Sequence, residues 1–313
     1  MNNCLCDLSN LGLIKLSGKD SAEFLQGQVT NDIRELTPEH SQLNGYCNPK
    51  GHMLASFLVF QRGGELFLQL PIEMLEPVLK RLSMFVLRSD VTVTDASDKL
   101  IRIGIAGQDA EVQLRNHLTV LPAEPYATHH DQELTIIRLP GATPRFEIIG
   151  PESSIRPLWQ QLSADITATN SSYWSLLDIQ AGIPAVYPAT VEAFIPQMVN
   201  MQLIGGVSFK KGCYCGQEII ARTQNRGTLK RRMYLAHIPG DKIPTAGDEL
   251  SSPSAEHNKA AGVVVDAQPV AGGGSDALVM IQIACFEAND VCTRDDKGQQ
   301  LDFQSLPYAF ING

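Results

Sequence analysis

The run Lys211-Gly212-Cys213-Tyr214-Cys215-Gly216-Gln217-Glu218 carries the most information about the fold and chemistry of this sequence. Apolar residues at helical spacing follow it, so a helix is expected over 217–223. Cys213 would lie just before the first turn of that helix, where unpaired N–H groups and the positive end of the helix dipole favour a thiolate. Lys210 and Lys211 act in the same direction. The stretch therefore predicts a reactive thiol at Cys213.

Cys213 also has a second interpretation, because cysteines are among the most buried residue types and charge runs usually lie on a solvated surface. It would then be a small core residue with a basic rim. Metal chelation is less favoured, because neither Cys213 with Cys215 nor Cys4 with Cys6 has the CxxC spacing and histidine partners of a four-ligand zinc site. The residues alone leave the first two interpretations open.

The segment between Lys210 and Arg232 is strongly basic. It holds seven basic residues against the single acid Glu218, whereas the whole chain carries a formal charge of -9. The seven are Lys210, Lys211, Arg222, Arg226, Lys230, Arg231 and Arg232. Such a patch suits an anionic partner: a polyglutamylated cofactor, a phosphate backbone or an acidic protein surface.

The overall composition is that of an ordinary globular protein. At 313 residues, with 43% hydrophobic and 19% charged residues, the chain is expected to form two or three compact units. The net charge of -9 disfavours a general nucleic-acid coat. The amino terminus does not resemble an export signal, no stretch reaches the roughly 20 apolar residues of a membrane span, and seven cysteines is an odd number. We therefore expect a cytoplasmic protein with free thiols and no membrane contact.

Strand and helix patterns are mixed as far as Ala181, which is typical of an α+β fold. Strands are predicted over 13–16, 53–60, 66–70, 100–106, 134–139 and 146–149, and helices from Asp20 and over 72–86, 109–118, 153–162 and 173–181. Beyond Gly227 the pattern changes to short apolar runs separated by Gly, Pro, Ser and Asp. These runs predict a small antiparallel barrel or sandwich.

Three further residues require a choice between structural and functional roles. Trp174 lies on an apolar helix face, where core packing is expected, although its ring could also stack on a flat ligand. His52 has no acid near it in the sequence, so a structural or surface role is expected. Asp32 stands in a segment with the composition of a capped turn, which favours a structural role.

Five stretches of the sequence together resemble the YgfZ family. They are Leu-Ser-Gly-Lys-Asp at 16–20, Phe-Leu-Gln-Gly-Gln-Val-Thr-Asn-Asp at 24–32, Asn-Pro-Lys-Gly at 48–51, Phe-Ile-Pro-Gln-Met at 194–198, and the cysteine run at 211–218. The YgfZ family is related to the T-protein of the glycine cleavage system, an aminomethyltransferase.

The resemblance implies an α+β fold made of three subdomains in a ring, of the aminomethyltransferase folate-binding type. Residues 1–98 with 172–229 would form one folate-binding subdomain, and 99–171 the second. Residues 230–313 would form a C-terminal antiparallel β-barrel.

The resemblance also implies a function. Tetrahydrofolate would bind in the central opening, and the family acts in tRNA modification by maintaining iron-sulfur enzymes such as methylthiotransferases. Carried over to this sequence, Cys213 and Lys211 are the implied catalytic pair. The implied folate contacts are Asn31, Asp32, Trp174, Gln180, Gln197, Asn200, Tyr214, Gln217 and Glu218.

Two departures from the T-protein pattern concern acids. The segment 51–57 has no carboxylate where the transferase carries paired aspartates, and Gln180 stands where the transferase pattern has Glu before Ala-Gly. Aminomethyl transfer needs an acid near the folate nitrogen, and a glutamine amide cannot accept as an ionised carboxylate does. Aminomethyl transfer is therefore not expected.

The sequence thus leads to the hypothesis that the Cys213 thiolate, near bound folate, supports iron-sulfur enzyme assembly or repair and thereby tRNA methylthiolation. One alternative is a folate-dependent one-carbon transferase. Another is a direct tRNA-binding module that uses Arg226, Lys230, Arg231 and Arg232.

Overall fold

The structure, a computed structural model, describes residues 3–256, 260–295 and 297–310, except for the side chain of Arg226. The strands in these ranges are, in chain order, β1 Cys4–Asp7, β2 Leu11–Ser17, β3 Gln42–Cys47, β4 Met53–Arg62, β5 Glu65–Pro71, β6 Thr92–Asp95, β7 Ile101–Ala106, β8 Thr128–Asp131, β9 Leu134–Leu139, β10 Arg145–Gly150, β11 Thr167–Thr169, β12 Arg231–Ile238, β13 Glu249–Ser251, β14 Gly262–Pro269, β15 Ser275–Gln282, β16 Cys292–Thr293 and β17 Asp302–Gln304.

The described helices each bury some of their residues. They are α1 Ser21–Gln26, α2 Ile72–Phe85, α3 Ala110–Arg115, α4 Glu152–Leu162, α5 Ser171–Gln180, α6 Gln217–Arg226 and α7 Ile283–Ala288, with 3₁₀ turns at Ile33–Glu35, Pro188–Thr190 and Pro196–Val199. In α2, for example, Met74, Leu75, Val78 and Leu82 recur at helical spacing and are buried. Among the described helices, none combines the length and the apolar character needed to cross a bilayer.

Two sheets form the larger part of the fold before α5. The first has the strand order β11-β1-β7-β10-β9-β8 and the second the order β3-β4-β5-β2-β6. Apolar side chains of β7, β9 and β10 pack with those of α3 and α4 in one buried cluster, which includes Ile105, Phe146 and Leu158. This layer of helices on a mostly antiparallel sheet is the predicted α+β arrangement.

The last part of the chain forms a third sheet of six strands in the order β16-β13-β14-β15-β12-β17. Neighbouring strands are antiparallel throughout, and the sheet curls into a half-barrel. Its core includes Val264, Val279 and Tyr234, and the Tyr234 ring stacks on Phe286 with centroids 3.9 Å apart. The antiparallel β structure predicted beyond Gly227 is confirmed.

The chain divides into two compact units. One comprises the chain through Asn44 together with Phe57–Trp174, and the other comprises Gly45–Ser56 together with the chain from Ser175 onward. The three-part division with bounds at 98, 171 and 229 remains a prediction.

Most predicted elements are present, but one helix is shorter than expected, and β3, β6, β8 and β11, like β1, were not predicted. The helix expected over 109–118 is limited to the six residues of α3, and the short strand β1 had no predicted counterpart. β1 lies between β7 and β11 and buries Cys4, Leu5 and Cys6. A four-residue strand buried on both faces shows no alternation, which is why its pattern was not distinctive.

Candidate functional site

The helix that follows the cysteine run begins at Gln217, as predicted, and Gly216 is its N-cap. Gly216 has a φ of 83°, in the left-handed region that favours glycine. A Cβ at this position would lie 2.5 Å from the carbonyl oxygen of Asn48. Glycine is therefore required here by conformation and by close packing against the turn over 48–51.

That turn is held by the side chain of Asn48. Its Oδ1 accepts hydrogen bonds from the N–H of Lys50 at 2.9 Å and of His52 at 3.0 Å. Gly51 has a φ of 77°, and a Cβ there would approach the Cβ of Ile219 in α6 at 3.1 Å. The Asn-Pro-Lys-Gly stretch is thus a tight turn fitted against the start of α6.

Lys211 is almost enclosed by protein, with 6% of its surface exposed. Its Nζ lies 4.9 Å from the centroid of the Tyr214 ring, a cation–π contact. Tyr214 is itself buried, and burial raises the pKa of its hydroxyl, with the Cys47 thiol adding to the effect. The charge of Lys211 is therefore held inside the loop and does not project into solvent.

The loop before α6 is closed by Gln217. Its Nε2 donates to the carbonyl oxygen of Gly212 at 3.3 Å and to that of Lys211 at 3.5 Å, while its own N–H donates to the carbonyl of Tyr214. Glu218 is exposed in the first turn, where an acidic side chain complements the helix dipole. We call residues 211–217 the thiol loop.

Cys213 is exposed at the outside of the thiol loop. The interpretation of Cys213 as a buried core residue is therefore wrong. Cys213 precedes the Gly216 N-cap by three residues, and a helix dipole acts mainly within the first turn. The cations nearest to Cys213 in the sequence are Lys210, which is exposed, and Lys211, which is buried.

The other cysteines differ from Cys213 in exposure. Cys4, Cys6, Cys47 and Cys285 are buried, whereas Cys215 and Cys292 are partly exposed. Burial raises the pKa of the Cys47 thiol, and the nearby Cys215 adds to this effect. Within the described ranges, no three His, Cys, Asp or Glu side chains are grouped as a metal site.

Asn31 and Asp32 hold the turn after α1. The backbone N–H of Asn31 donates to Asn44 Oδ1 at 3.0 Å, and Asn31 Nδ2 donates to the carbonyl of Leu43. Asp32 Oδ1 accepts from Gln26 Nε2 at 2.9 Å and from the N–H of Arg34, so Asp32 caps the 3₁₀ turn that follows. The structural role expected for Asp32 is confirmed, and both side chains remain partly exposed.

Trp174 belongs to the core of the first unit, with 1% of its surface exposed. Its ring lies against Gly104, where a Cβ would come within 2.5 Å of the ring atom Cζ3. The guanidinium of Arg145 lies 5.4 Å from the ring centroid. Core packing, the role expected first for Trp174, is confirmed.

Gln180 lies at the end of α5 and is tied to the C-terminal sheet. Its Nε2 donates to Asp276 Oδ2 at 3.0 Å, and the other oxygen of Asp276 lies 3.2 Å from Nδ1 of His237. Position 180 has no carboxylate of its own, but its side chain is hydrogen-bonded to one, that of Asp276. The sequence did not predict the contact between Gln180 and Asp276, because the two residues are 96 positions apart.

Gln197 and Asn200 are buried and hold backbone carbonyls. Gln197 Nε2 donates to the carbonyl of Ile220 in α6 at 2.7 Å, and Asn200 Nδ2 donates to that of Met233 at 2.9 Å. Asn200 ends a 3₁₀ turn with a φ of 60°, a conformation that asparagine tolerates. Both residues therefore connect segments of the second unit.

The predicted tRNA-contacting cations are partly engaged within the protein. Lys230 lies 3.4 Å from Glu256, and the Arg232 guanidinium lies 4.4 Å from the centroid of Phe310. Arg231 is half-buried in β12, and the side chain of Arg226 lies outside the described residues. No continuous row of exposed cations is evident among the described members of this set.

The predicted folate contacts differ in their suitability. Trp174, Gln197, Asn200 and Tyr214 are enclosed by protein, which does not fit direct contact with a ligand. The partly or fully exposed members are Asn31, Asp32, Gln180, Gln217 and Glu218.

Two comparisons, one with a domain family and one with a solved structure, define the class of this protein. The profile of the GCVT N-terminal domain matches residues 2–173, more than half of the chain. The glycine cleavage system aminomethyltransferase T from Bartonella henselae shares the fold, with a TM-score of 0.68 over 98% of this chain and 86% of that one at 18% identity. These matches define a GCVT-type protein with the aminomethyltransferase T fold.

Curated relatives narrow the class to one family. The tRNA-modifying protein YgfZ of Shigella boydii serotype 4 (strain Sb227) is 31% identical over 308 residues, which are 97% of this chain and 93% of the relative. The protein of the same name from Escherichia coli O157:H7 (strain EC4115 / EHEC) matches with the same identity and coverage. The chain belongs to the YgfZ family.

Proposed function

We propose that this protein acts in tRNA modification by supporting the assembly or repair of iron-sulfur enzymes such as methylthiotransferases, through the thiol of Cys213. The observation that carries the proposal is the thiol loop, in which an exposed cysteine follows a buried lysine by two positions. The relatives' name, tRNA-modifying protein, supports the pathway. The absence of a carboxylate in the segment 51–57, where the transferase carries paired aspartates, argues for this role over aminomethyl transfer.

Each residue of the loop has a part in the proposed role. Cys213 supplies the thiol that contacts the client enzyme. Lys211, whose Nζ lies against the Tyr214 ring, supplies positive charge within the same loop. Gln217 keeps the loop closed by holding two of its carbonyl groups.

Tetrahydrofolate is the proposed ligand, on the strength of the GCVT-type domain. The exposed candidates for contact with it are Asn31 and Asp32 in the first unit and Gln180, Gln217 and Glu218 in the second. The proposed role of the thiol does not depend on any chemical step at the folate. Folate affinity should be measured on the native protein and on Cys213→Ala, and equal affinities would separate ligand binding from thiol function.

The central test is complementation. In cells that lack this protein and show a tRNA methylthiolation defect, Cys213→Ala should fail to restore methylthiolated tRNA. The matched control is Cys292→Ala, which removes a partly exposed thiol on β16 and should restore it fully. Full restoration by Cys213→Ala at equal protein level would overturn the proposal.

A further inference from the structure

The thiol loop packs against the turn over 48–51, which is distant in sequence. The carbonyl oxygen of Asn48 lies only 2.5 Å from where a Cβ of Gly216 would be, and a Cβ on Gly51 would lie 3.1 Å from the Cβ of Ile219 in α6. Gly216 immediately precedes Gln217, whose side chain closes the loop. A displacement of Asn48 would therefore be transmitted through Gly216 to the residues that carry Cys213.

Asn48 is fixed in turn by Glu192. Asn48 Nδ2 donates to Glu192 Oε1 at 2.8 Å, across 144 positions of sequence. Glu192 has a φ of 63° and its N–H donates to the carbonyl of Met53 at 2.8 Å, so its backbone is anchored beside the same hairpin. Asn48 is nearly buried, whereas Glu192 is exposed. The pair adds a side-chain hydrogen bond between the turn and the segment of Glu192, which the backbone bond to Met53 also joins.

We propose that Asn48 and Glu192 are a positioning pair for the Cys213 thiol loop. The proposal rests on the proposed function of Cys213, since it assigns these residues to the same site. Asn48 has three tasks at once: its Oδ1 holds the turn, its carbonyl packs under Gly216, and its Nδ2 binds Glu192. Two of these contacts reach beyond the local turn, the packing against Gly216 and the hydrogen bond to Glu192, and the second is the one made by a side chain of another segment. We expect that bond to help hold the turn in the position that Gly216 packs against.

The pair permits a charge-matched test. Glu192→Ala and Glu192→Gln both remove one negative charge, but only the glutamine keeps an oxygen that accepts from Asn48 Nδ2. Asn48→Asp keeps the acceptor for the turn amides and places a carboxylate against Glu192. In the double variant Asn48→Asp with Glu192→Gln, the hydrogen bond is restored with donor and acceptor exchanged.

Two measurements report on the series. Amide hydrogen exchange of peptides covering 211–217 reports local opening, with peptides from β15 as the control for global stability. Methylthiolated tRNA in complemented cells reports function. Glu192→Ala and Asn48→Asp should exchange at least about fivefold faster in the thiol loop and should lower methylthiolation, as expected for loss of a hydrogen bond to a charged group.

The reversed pair should restore both measurements, and Glu192→Gln should resemble the native protein. Equal impairment of Glu192→Ala and Glu192→Gln would assign the effect to charge and overturn the proposal. The proposal would also be overturned if Glu192→Ala behaved like the native protein in both measurements. The same holds if the double variant recovered neither measurement relative to Asn48→Asp. If Cys213→Ala proved fully active, the proposed function would fail, but the exchange data would still decide whether the pair positions the loop.

Discussion

Gly216 and Asn48 are in direct backbone contact, with no room for a side chain between the thiol loop and the turn that supports it. This contact joins the Asn-Pro-Lys-Gly stretch to the cysteine run, two motifs that are more than 150 residues apart in the sequence. It explains why both stretches carry glycines in the left-handed conformation, Gly51 and Gly216. The geometry of the Cys213 site depends on it.

Gly216→Ala should therefore destabilise the protein by about 2–4 kcal/mol, since it adds left-handed strain to a clash with a backbone oxygen. Gly212→Ala in the same loop is the control, because a Cβ there meets nothing within 4 Å. That control should change the unfolding free energy by less than about 0.5 kcal/mol. Urea denaturation of both variants provides the comparison, and equal midpoints would contradict the prediction.

Gly104→Ala should overpack the core of the first unit. A Cβ at 104 would lie 2.5 Å from Cζ3 and 2.6 Å from Cε3 of Trp174, and a buried indole cannot move aside easily. The expected loss is about 1–3 kcal/mol in the free energy of unfolding. Trp174→Leu should itself be destabilising, but the two changes together should cost less than the sum of their separate effects. Additive losses, measured by urea denaturation, would exclude direct contact.

The sequence predicted local features of the site better than its long-range pairs. The helix start at Gln217, the cap role of Asp32 and the core role of Trp174 follow from residue types within a few positions, and all three are confirmed. The Asn48–Glu192 and Gln180–Asp276 bonds were not predictable, because nothing in a single sequence relates residues 144 or 96 positions apart.

The folate contacts show the same limit. Gln197 and Asn200 are polar residues in or next to a family-like stretch, and polarity alone does not distinguish a ligand contact from a buried amide that holds a backbone carbonyl. Only the fold shows that both are enclosed. A strand such as β1, buried and four residues long, is likewise recognisable only from its neighbours.

Gln180→Glu, the residue of the transferase pattern, should be destabilising in this protein. It would place a second carboxylate against the buried Asp276, with an expected loss of about 1–3 kcal/mol at neutral pH. At pH 5 the loss should be smaller, because a proton shared between the carboxylates restores a hydrogen bond. Asp276→Asn in the same chain should recover stability, since its amide can donate to Glu at 180. Thermal unfolding at the two pH values tests this, and a pH-independent loss would contradict it.

Asp266 should make stability fall as the pH rises from about 4 to about 6. Burial raises the pKa of Asp266 from 3.8 to about 6, Asp178 adds to the shift, and the hydroxyl of Tyr187 at 2.8 Å opposes it. The folded protein therefore binds this proton more tightly than the unfolded chain, so the contribution is complete below pH 3.8 and is lost through the folded pKa.

The size of that loss is on the order of 2–3 kcal/mol for a shift of this extent. Asp266→Asn removes the titration but keeps an oxygen for the Tyr187 hydroxyl. Urea denaturation of the native protein and the variant between pH 4 and pH 7 should show the native protein losing stability relative to the variant as the pH rises. A constant difference across this range would show that Asp266 does not titrate there.

The reactivity of Cys213 should show the influence of local positive charge. Faster alkylation of Cys213 than of Cys47 or Cys285 is expected from exposure alone, so the partly exposed Cys292 is the stricter comparison. Iodoacetate is negatively charged and iodoacetamide is neutral, so the ratio of their alkylation rates at one cysteine reports the electrostatic potential there, independently of how much thiolate is present.

The ratio of the iodoacetate rate to the iodoacetamide rate should be higher at Cys213 than at Cys292 and should fall as salt screens the lysines. Lys210→Gln should lower it by about two- to threefold at low ionic strength. Equal ratios at the two cysteines, insensitive to salt and to this substitution, would mean that the lysines do not act on the thiol.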